Sequence, residues 1–214
     1  MGLTLVSTAN HARTSSHFRE TRLIYKILSP HTHVVPDNES GTTAHIAALI
    51  SALRALFQSS AATKPYFLSA APQCPRPDAS IPLSSMQTAI AFVWVQFYNN
   101  PTCNLASDNS FFDSLSAWSS DLTAGATNFV DIGNGVSSPR LYVGAPAWPG
   151  AGSGYVDTDT FRSLLENVNG THANFGGVMF WDGAFGEQSA GTDGGNETFM
   201  QLAKDVLGWM DSKR

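Results

Sequence analysis

Residues 93–100, Val93-Trp94-Val95-Gln96-Phe97-Tyr98-Asn99-Asn100, constrain this chain more than any other stretch. An apolar, β-branched run is what a parallel strand covered on both faces requires. The abrupt change to polar groups at Tyr98-Asn99-Asn100 is the pattern of such a strand opening into a site at its C-terminal end. Upstream, Asp37-Asn38-Glu39 offers two carboxylates that a site of this kind can use.

The surrounding pattern repeats the theme. Thr42 or Thr43 can cap a helix in which Ile46, Leu49, Ile50, Leu53 and Phe57 recur at helical spacing. A strand follows in Tyr66-Phe67-Leu68-Ser69-Ala70-Ala71 and stops at Pro72. A proline-rich loop then runs through Pro75, Pro77 and Pro82 to a strand over residues 92–97. Residues 111–122 read as a helix burying Phe112, Leu115 and Trp118. Leu141-Tyr142-Val143-Gly144-Ala145 reads as a strand ended by Pro146. Thr158 caps a helix through Asn167, with Leu164 and Leu165 on its apolar side. Gly176-Gly177-Val178-Met179-Phe180-Trp181 is the last strand, and Thr198 opens the last helix, through Trp209.

Single strands separated by helices build βαβ units on a parallel sheet. The expected fold is therefore α/β, of the (β/α)8 TIM-barrel type. A whole barrel needs eight strands and typically ~250 residues. Only four good strands follow the Asp37–Glu39 element, so an incomplete barrel is expected, about its C-terminal half. Residues 1–34 show no clear period, apart from Leu23-Ile24-Tyr25-Lys26-Ile27-Leu28 as a short strand or helical turn. They form an atypical segment, poorly ordered or foreign to the rest, before a partial barrel domain over residues 35–214.

Composition narrows the function classes. Charged residues make up 14% of the chain and the net charge is −5, with no Lys/Arg cluster, which argues against a nucleic-acid partner. No apolar run approaches the ~20 residues that span a bilayer. Low charge and abundant small residues suit a secreted globular protein, although Met1–Glu20 lacks the basic-then-apolar plan of a signal peptide. The six histidines are scattered, so no metal is expected; Gly191-Thr192-Asp193-Gly194-Gly195 has no strand directly before it and no Lys-Ser/Thr after it, so it is no phosphate loop, and no cofactor is expected. Cys74 and Cys103 each follow a predicted strand. They are either two buried thiols or a disulfide between adjacent βα loops, and the sequons at Asn38, Asn169 and Asn196 favour the bridge. The sequon at Asn38 contains Glu39 and is a poor glycan site if that residue is catalytic.

Four blocks carry a resemblance. Tyr66-Phe67-Leu68-Ser69-Ala70-Ala71-Pro72-Gln73-Cys74-Pro75, the 93–100 run, Gly152-Ser153-Gly154-Tyr155-Val156 and Gly177-Val178-Met179-Phe180-Trp181 resemble segments of class III chitinases of plants and fungi. Those enzymes belong to glycoside hydrolase family 18. The blocks stand in the family's order and spacing, and the likeness runs from Asp37 to the C-terminus. The family signature is D-x-x-D-x-D-x-E. With its last acid at Glu39, its last aspartate falls on Asp37, while the two earlier aspartates fall on Thr32 and Val35 and are lost. Asp37-Asn38-Glu39-Ser40-Gly41 fits the fungal version; residues 31–36 do not, and Pro36 would remove a ladder hydrogen bond.

The resemblance implies an extracellular or cell-wall endochitinase, monomeric, acting on chitin or chito-oligosaccharides. The implied mechanism is substrate-assisted, an exception to the usual two-carboxylate scheme. Glu39 is the implied proton donor, Asp37 the group that orients the acetamido nitrogen, and Tyr98 the hydrogen-bond partner of the acetamido oxygen. Gln96 and Asn99 are implied sugar contacts, and Trp181 the floor of the subsite. Cys74 and Cys103 are implied to be paired. Trp94 is expected in the core or the helix layer, outside the site. Two other readings remain: a lectin-like or inhibitor protein on the same fold, and a truncated remnant without activity.

Overall fold

The computed structural model describes residues 5–8, 33–34, 38–58, 66–124, 129, 138–188 and 197–211. The 23–28 segment and Asp37 lie outside them. The strands are β1 (Leu5–Thr8), β2 (His33–Val34), β3 (Phe67–Ala70), β4 (Phe92–Gln96), β5 (Arg140–Pro146) and β6 (Phe175–Trp181). The helices are α1 (Ile46–Phe57), α2 (Leu83–Ala89), α3 (Asn109–Ala124), α4 (Thr158–Val168), α5 (Gly183–Gln188) and α6 (Phe199–Asp211).

The sheet order is β1-β6-β5-β4-β3-β2. From β2 to β6 every neighbouring pair is parallel, and strand order follows chain order. This is a run of consecutive βα units, the plan of part of a (β/α)8 barrel. β1 joins the far side of β6 in the opposite sense, with Leu5 opposite Phe180 and Thr8 opposite Gly177. Four of the residues read as an atypical N-terminal segment thus cover one sheet edge, where uncapped backbone groups would otherwise invite pairing with another chain.

β4 explains the two layers. Val93, Val95 and Phe97 point into the large core beneath the helices, with Leu68, Leu141, Val143, Val178, Phe180, Leu115, Trp118, Phe161 and Leu202. The alternate residues Trp94 and Tyr98 lie on the opposite face, in a smaller cluster with Tyr142 and Met179. Trp94 is therefore in the core, one of the two places expected for it, but in the smaller cluster and not in the helix layer. It sits on the sheet's other face, opposite Tyr142 in register, because side chains alternate along a strand.

Several local expectations are corrected. α1 begins after His45, which takes a left-handed φ of 64° and makes no side-chain cap; Thr42 Oγ1 accepts from Ala44 N instead. The buried face of α1 uses Ile50 and Arg54, while Leu49 is 47% exposed. Arg54 reaches inward to donate to Tyr66 O and Ala89 O, so its head group stitches α1 to the start of β3 and the end of α2. α2 falls within the stretch read as proline-rich loop, with Pro82 at its N-cap. In α3 Phe111, not Phe112, is fully buried, because 111, 115, 118 and 122 share one stripe. Asp157, one residue before Thr158, caps α4 by accepting from Thr160 N at 2.7 Å. The expected Thr198 cap is present: Thr198 Oγ1 accepts from Gln201 N, and Gln201 Oε1 accepts from Thr198 N.

Candidate active site

β4 delivers the centre of the site. Its last residue, Gln96, is 7% exposed and stands opposite Gly144 of β5. The Gln96 backbone N–H donates to Pro72 O, and its carbonyl accepts from Cys74 N, so the strand end is held by the loop after β3. The Gln96 side-chain Nε2 donates to Ala71 O at 2.8 Å and to Glu39 Oε1 at 2.9 Å. Glu39 itself is exposed, on the loop between β2 and α1. Two residues predicted from separate blocks, 57 positions apart, thus meet at the C-terminal edge of the sheet.

Gly144 makes this meeting possible. A Cβ there would stand 2.5 Å from Val95 O, 2.8 Å from Met179 Cε and 3.2 Å from Gln96 Cα. Only a residue without a side chain lets β5 approach Gln96 so closely.

Tyr98 follows Gln96 on the same face and is 5% exposed, packed with Trp94, Tyr142 and Met179. Beneath it, burial pushes the Tyr142 phenol well above the ordinary tyrosine value, against a smaller lowering by Arg140, so that hydroxyl stays protonated. Asn99 adopts a left-handed φ of 62° and is exposed. Its Oδ1 accepts from Ser153 N at 2.9 Å, and its N–H donates to Ser153 O at 2.9 Å. These bonds draw the Gly152–Ser153 loop onto the β4 exit. Trp181 ends β6 with 37% of its surface exposed, and its carbonyl accepts from Ala147 N. Asp182, joined to Trp181 by a cis peptide, accepts from Ala184 N and Phe185 N and is occupied as the cap of α5.

Cys74 and Cys103 are bonded, with Cα atoms 5.9 Å apart and a separation of 29 residues. The bridge joins the loops after β3 and β4, and Trp118 Nε1 and Ser114 Oγ donate to Cys74 O from α3. Gln73, overlooked in the sequence, pairs with Gln96 as an isolated bridge and accepts from Asn100 Nδ2. Its place in the Gln73-Cys74-Pro75 block was the available signal. Among the described residues no group of three or more His, Cys, Asp or Glu could hold a metal ion. No described helix is long and apolar enough to cross a membrane.

Consecutive parallel βα units with a carboxylate, an amide, a phenol and an indole at their C-terminal edge define a barrel-type protein with its polar groups where barrel enzymes carry theirs. Known proteins give that class a family. Chitinase 3 of Candida albicans is 36% identical over 172 residues, which are 80% of this chain and 28% of that protein. Acidic endochitinase SE2 of Beta vulgaris is 38% identical over 134 residues, 62% of this chain and 41% of that one. The chain spans less than half the length of either. Among solved structures, the xylanase and α-amylase inhibitor protein XAIP-II of Scadoxus multiflorus superposes with a TM-score of 0.59 at 24% identity, over 79% of this chain and 53% of that one. A tamarind chitinase-like lectin gives 0.51 at 23%, over 66% and 47%. At those identities the two structures speak for the fold alone. No protein-family model matches the chain. By its sequence relatives and its fold, the chain belongs to the class III chitinase-like family, glycoside hydrolase family 18.

Proposed function

We propose that this chain cleaves β-1,4 linkages between N-acetylglucosamine units of chitin from within the polymer, with retention and with assistance from the substrate. The observation that carries the reading is the hydrogen bond from Gln96 to Glu39, which fixes an exposed carboxyl group at the C-terminal sheet edge. In this scheme the acetamido carbonyl oxygen attacks the anomeric carbon as Glu39 gives its proton to the departing glycosidic oxygen. Water then attacks the same carbon, and Glu39 takes a proton back. Asp37 orients the acetamido group and balances its developing positive charge. Tyr98 hydrogen-bonds the acetamido oxygen, Gln96 and Asn99 contact the sugar, and the exposed Trp181 indole stacks on a pyranose face. The buried disulfide accords with an oxidising, extracellular setting, and the protein acts as a monomer.

The test is hydrolysis of a chromogenic chito-oligosaccharide by the chain and by Glu39→Gln. The amide keeps the shape but has no proton to give, and general acid catalysis contributes ~100- to 10,000-fold. A Glu39→Gln protein as fast as the parent would sink this mechanism.

A second reading is a carbohydrate-binding or inhibitory protein. It is favoured by the exposure of Glu39. It predicts saturable binding of chito-oligosaccharide with no hydrolysis, and binding unaffected by Glu39→Gln.

A further inference from the structure

β2 is only two residues long and ends at Val34, five positions before Glu39. A strand end cannot by itself hold Glu39 in place at that remove. What holds it comes from the loop after β3.

We propose that Ser80 and Asn38 are positioning residues that clamp the Glu39 loop on both sides and so keep its carboxylate within reach of Gln96. Before Glu39, Asn38 Nδ2 donates to Ser80 O at 2.8 Å and to Thr42 O at 2.9 Å. Both of its amide hydrogens are engaged within the loop and its support. Asn38 Oδ1 accepts from Ser40 N at 3.2 Å, closing a tight turn with Glu39 at its centre. After Glu39, Gly41 N donates to Ser80 Oγ at 3.0 Å. One serine therefore receives the chain on each side of the acid, through its carbonyl and through its hydroxyl.

Ser80 is itself fixed. It is 6% exposed, and Asp78 beneath it accepts from Ser80 N at 2.9 Å, Ile81 N at 2.6 Å and Gln73 N at 2.8 Å. Gln73 in turn bridges to Gln96, the residue that meets Glu39. The loop after β3 thus supports both ends of the Glu39–Gln96 contact. Misplacement of a reacting group by ~1 Å can slow a reaction about 100-fold, so a clamp of this kind bears directly on rate. The kinetic consequence rests on the reading of Glu39 as the acid; the clamp does not.

The test uses the full chain with Asn38→Ala, Ser80→Ala and the double variant, alongside Glu39→Gln. In the parent, the Gln96 side-chain amide resonances shift as Glu39 titrates. The single variants weaken that coupling and the double variant abolishes it, while the thermal transition and the remaining amide spectrum stay in place. On chromogenic chito-oligosaccharide the double variant loses at least tenfold in kcat with KM changed less than threefold. Gln96 amides that still follow Glu39 in the folded double variant overturn the clamp. If the double variant does not fold, the single variants decide: undiminished coupling in both overturns the clamp, and weakened coupling supports it. Activity retained by Glu39→Gln overturns the acid role alone, because the resonance coupling is read without turnover.

Discussion

Gln96 Nε2 binds Glu39 Oε1 over 2.9 Å while the same nitrogen holds Ala71 O over 2.8 Å. The amide is a fixed donor: its position is set by β4 and by the loop after β3, and it meets the carboxylate at the sheet edge.

Replacing that donor by an acid tests the contact. In Gln96→Glu two carboxylates share the space of one amide–carboxylate hydrogen bond. Like charges at that range cannot both ionise freely, and burial makes position 96 the one that keeps its proton. Gln96→Glu therefore still offers Glu39 a donor, while Gln96→Leu offers none and also leaves Ala71 O without one. On the chromogenic substrate Gln96→Leu loses more in kcat than Gln96→Glu does; equal losses for the two variants would contradict the contact.

Gly144→Ala tests how tightly β5 and β4 close around Gln96. The new methyl meets Val95 O at 2.5 Å, and a backbone oxygen in a parallel ladder cannot move aside as a side-chain end can. Overpacking of this sort destabilises by about 1–3 kcal/mol. In a domain of this size that is a fall in Tm of roughly 2–12 °C. Gly150→Ala, where the nearest atom is 3.5 Å away, is the matched control and leaves Tm within about a degree. Equal melts for the two variants would refute the crowding at Gly144.

The double variant Cys74→Ser, Cys103→Ser frees a loop of 29 residues. On the loop-entropy account its removal costs about 3.5 kcal/mol, with a Tm drop of roughly 7–14 °C. Both cysteines are buried, so a reductant acts on the folded protein only as fast as it opens. Mass spectrometry of thiol labelling with and without denaturant reads this: labelling of the reductant-treated native protein at the denatured rate would show an exposed bridge.

What could be read from sequence was whatever period or motif records. β3 to β6, α1, α3, α4 and α6 were visible, because apolar residues in them recur at two or 3.6 positions. α2 was hidden because Pro75, Pro77 and Pro82 signalled loop, although a proline just before the first helical turn is tolerated, since its missing N–H has no partner to lose there. Arg54 was hidden because a buried arginine whose terminal nitrogens donate to two carbonyls breaks the polar-out rule. That Gln96 and Glu39 stand on one sheet edge followed from the strand ends; the hydrogen bond between them did not. The Ser80 clamp did not, since nothing in Asp78-Ala79-Ser80 distinguishes a support from a surface turn. β1 was invisible for another reason: its pairing is with residues far along the chain, and a four-residue strand leaves little pattern.

Asp157 carries a prediction in pH. It caps α4 by accepting from Thr160 N, and that bond holds its carboxyl below the ordinary aspartate value. Asp157→Ala removes the cap and lowers stability at neutral pH by about 0.5–2 kcal/mol. The sign of the pH dependence follows from the depressed value. The folded protein holds this carboxylate ionised more readily than the unfolded chain does. The contribution is therefore fully present above the unfolded value of 3.8 and fades as pH falls through the lower folded one. The gap in Tm between parent and Asp157→Ala should be constant from pH 7 to about 5 and narrow in more acid solution. Asp157→Asn keeps the acceptor without the charge, so it stays near the parent at neutral pH and its own gap changes sign-consistently, shrinking on acidification. A gap for Asp157→Ala that widens below about pH 4 would show that the cap acts through something other than the ionised carboxylate.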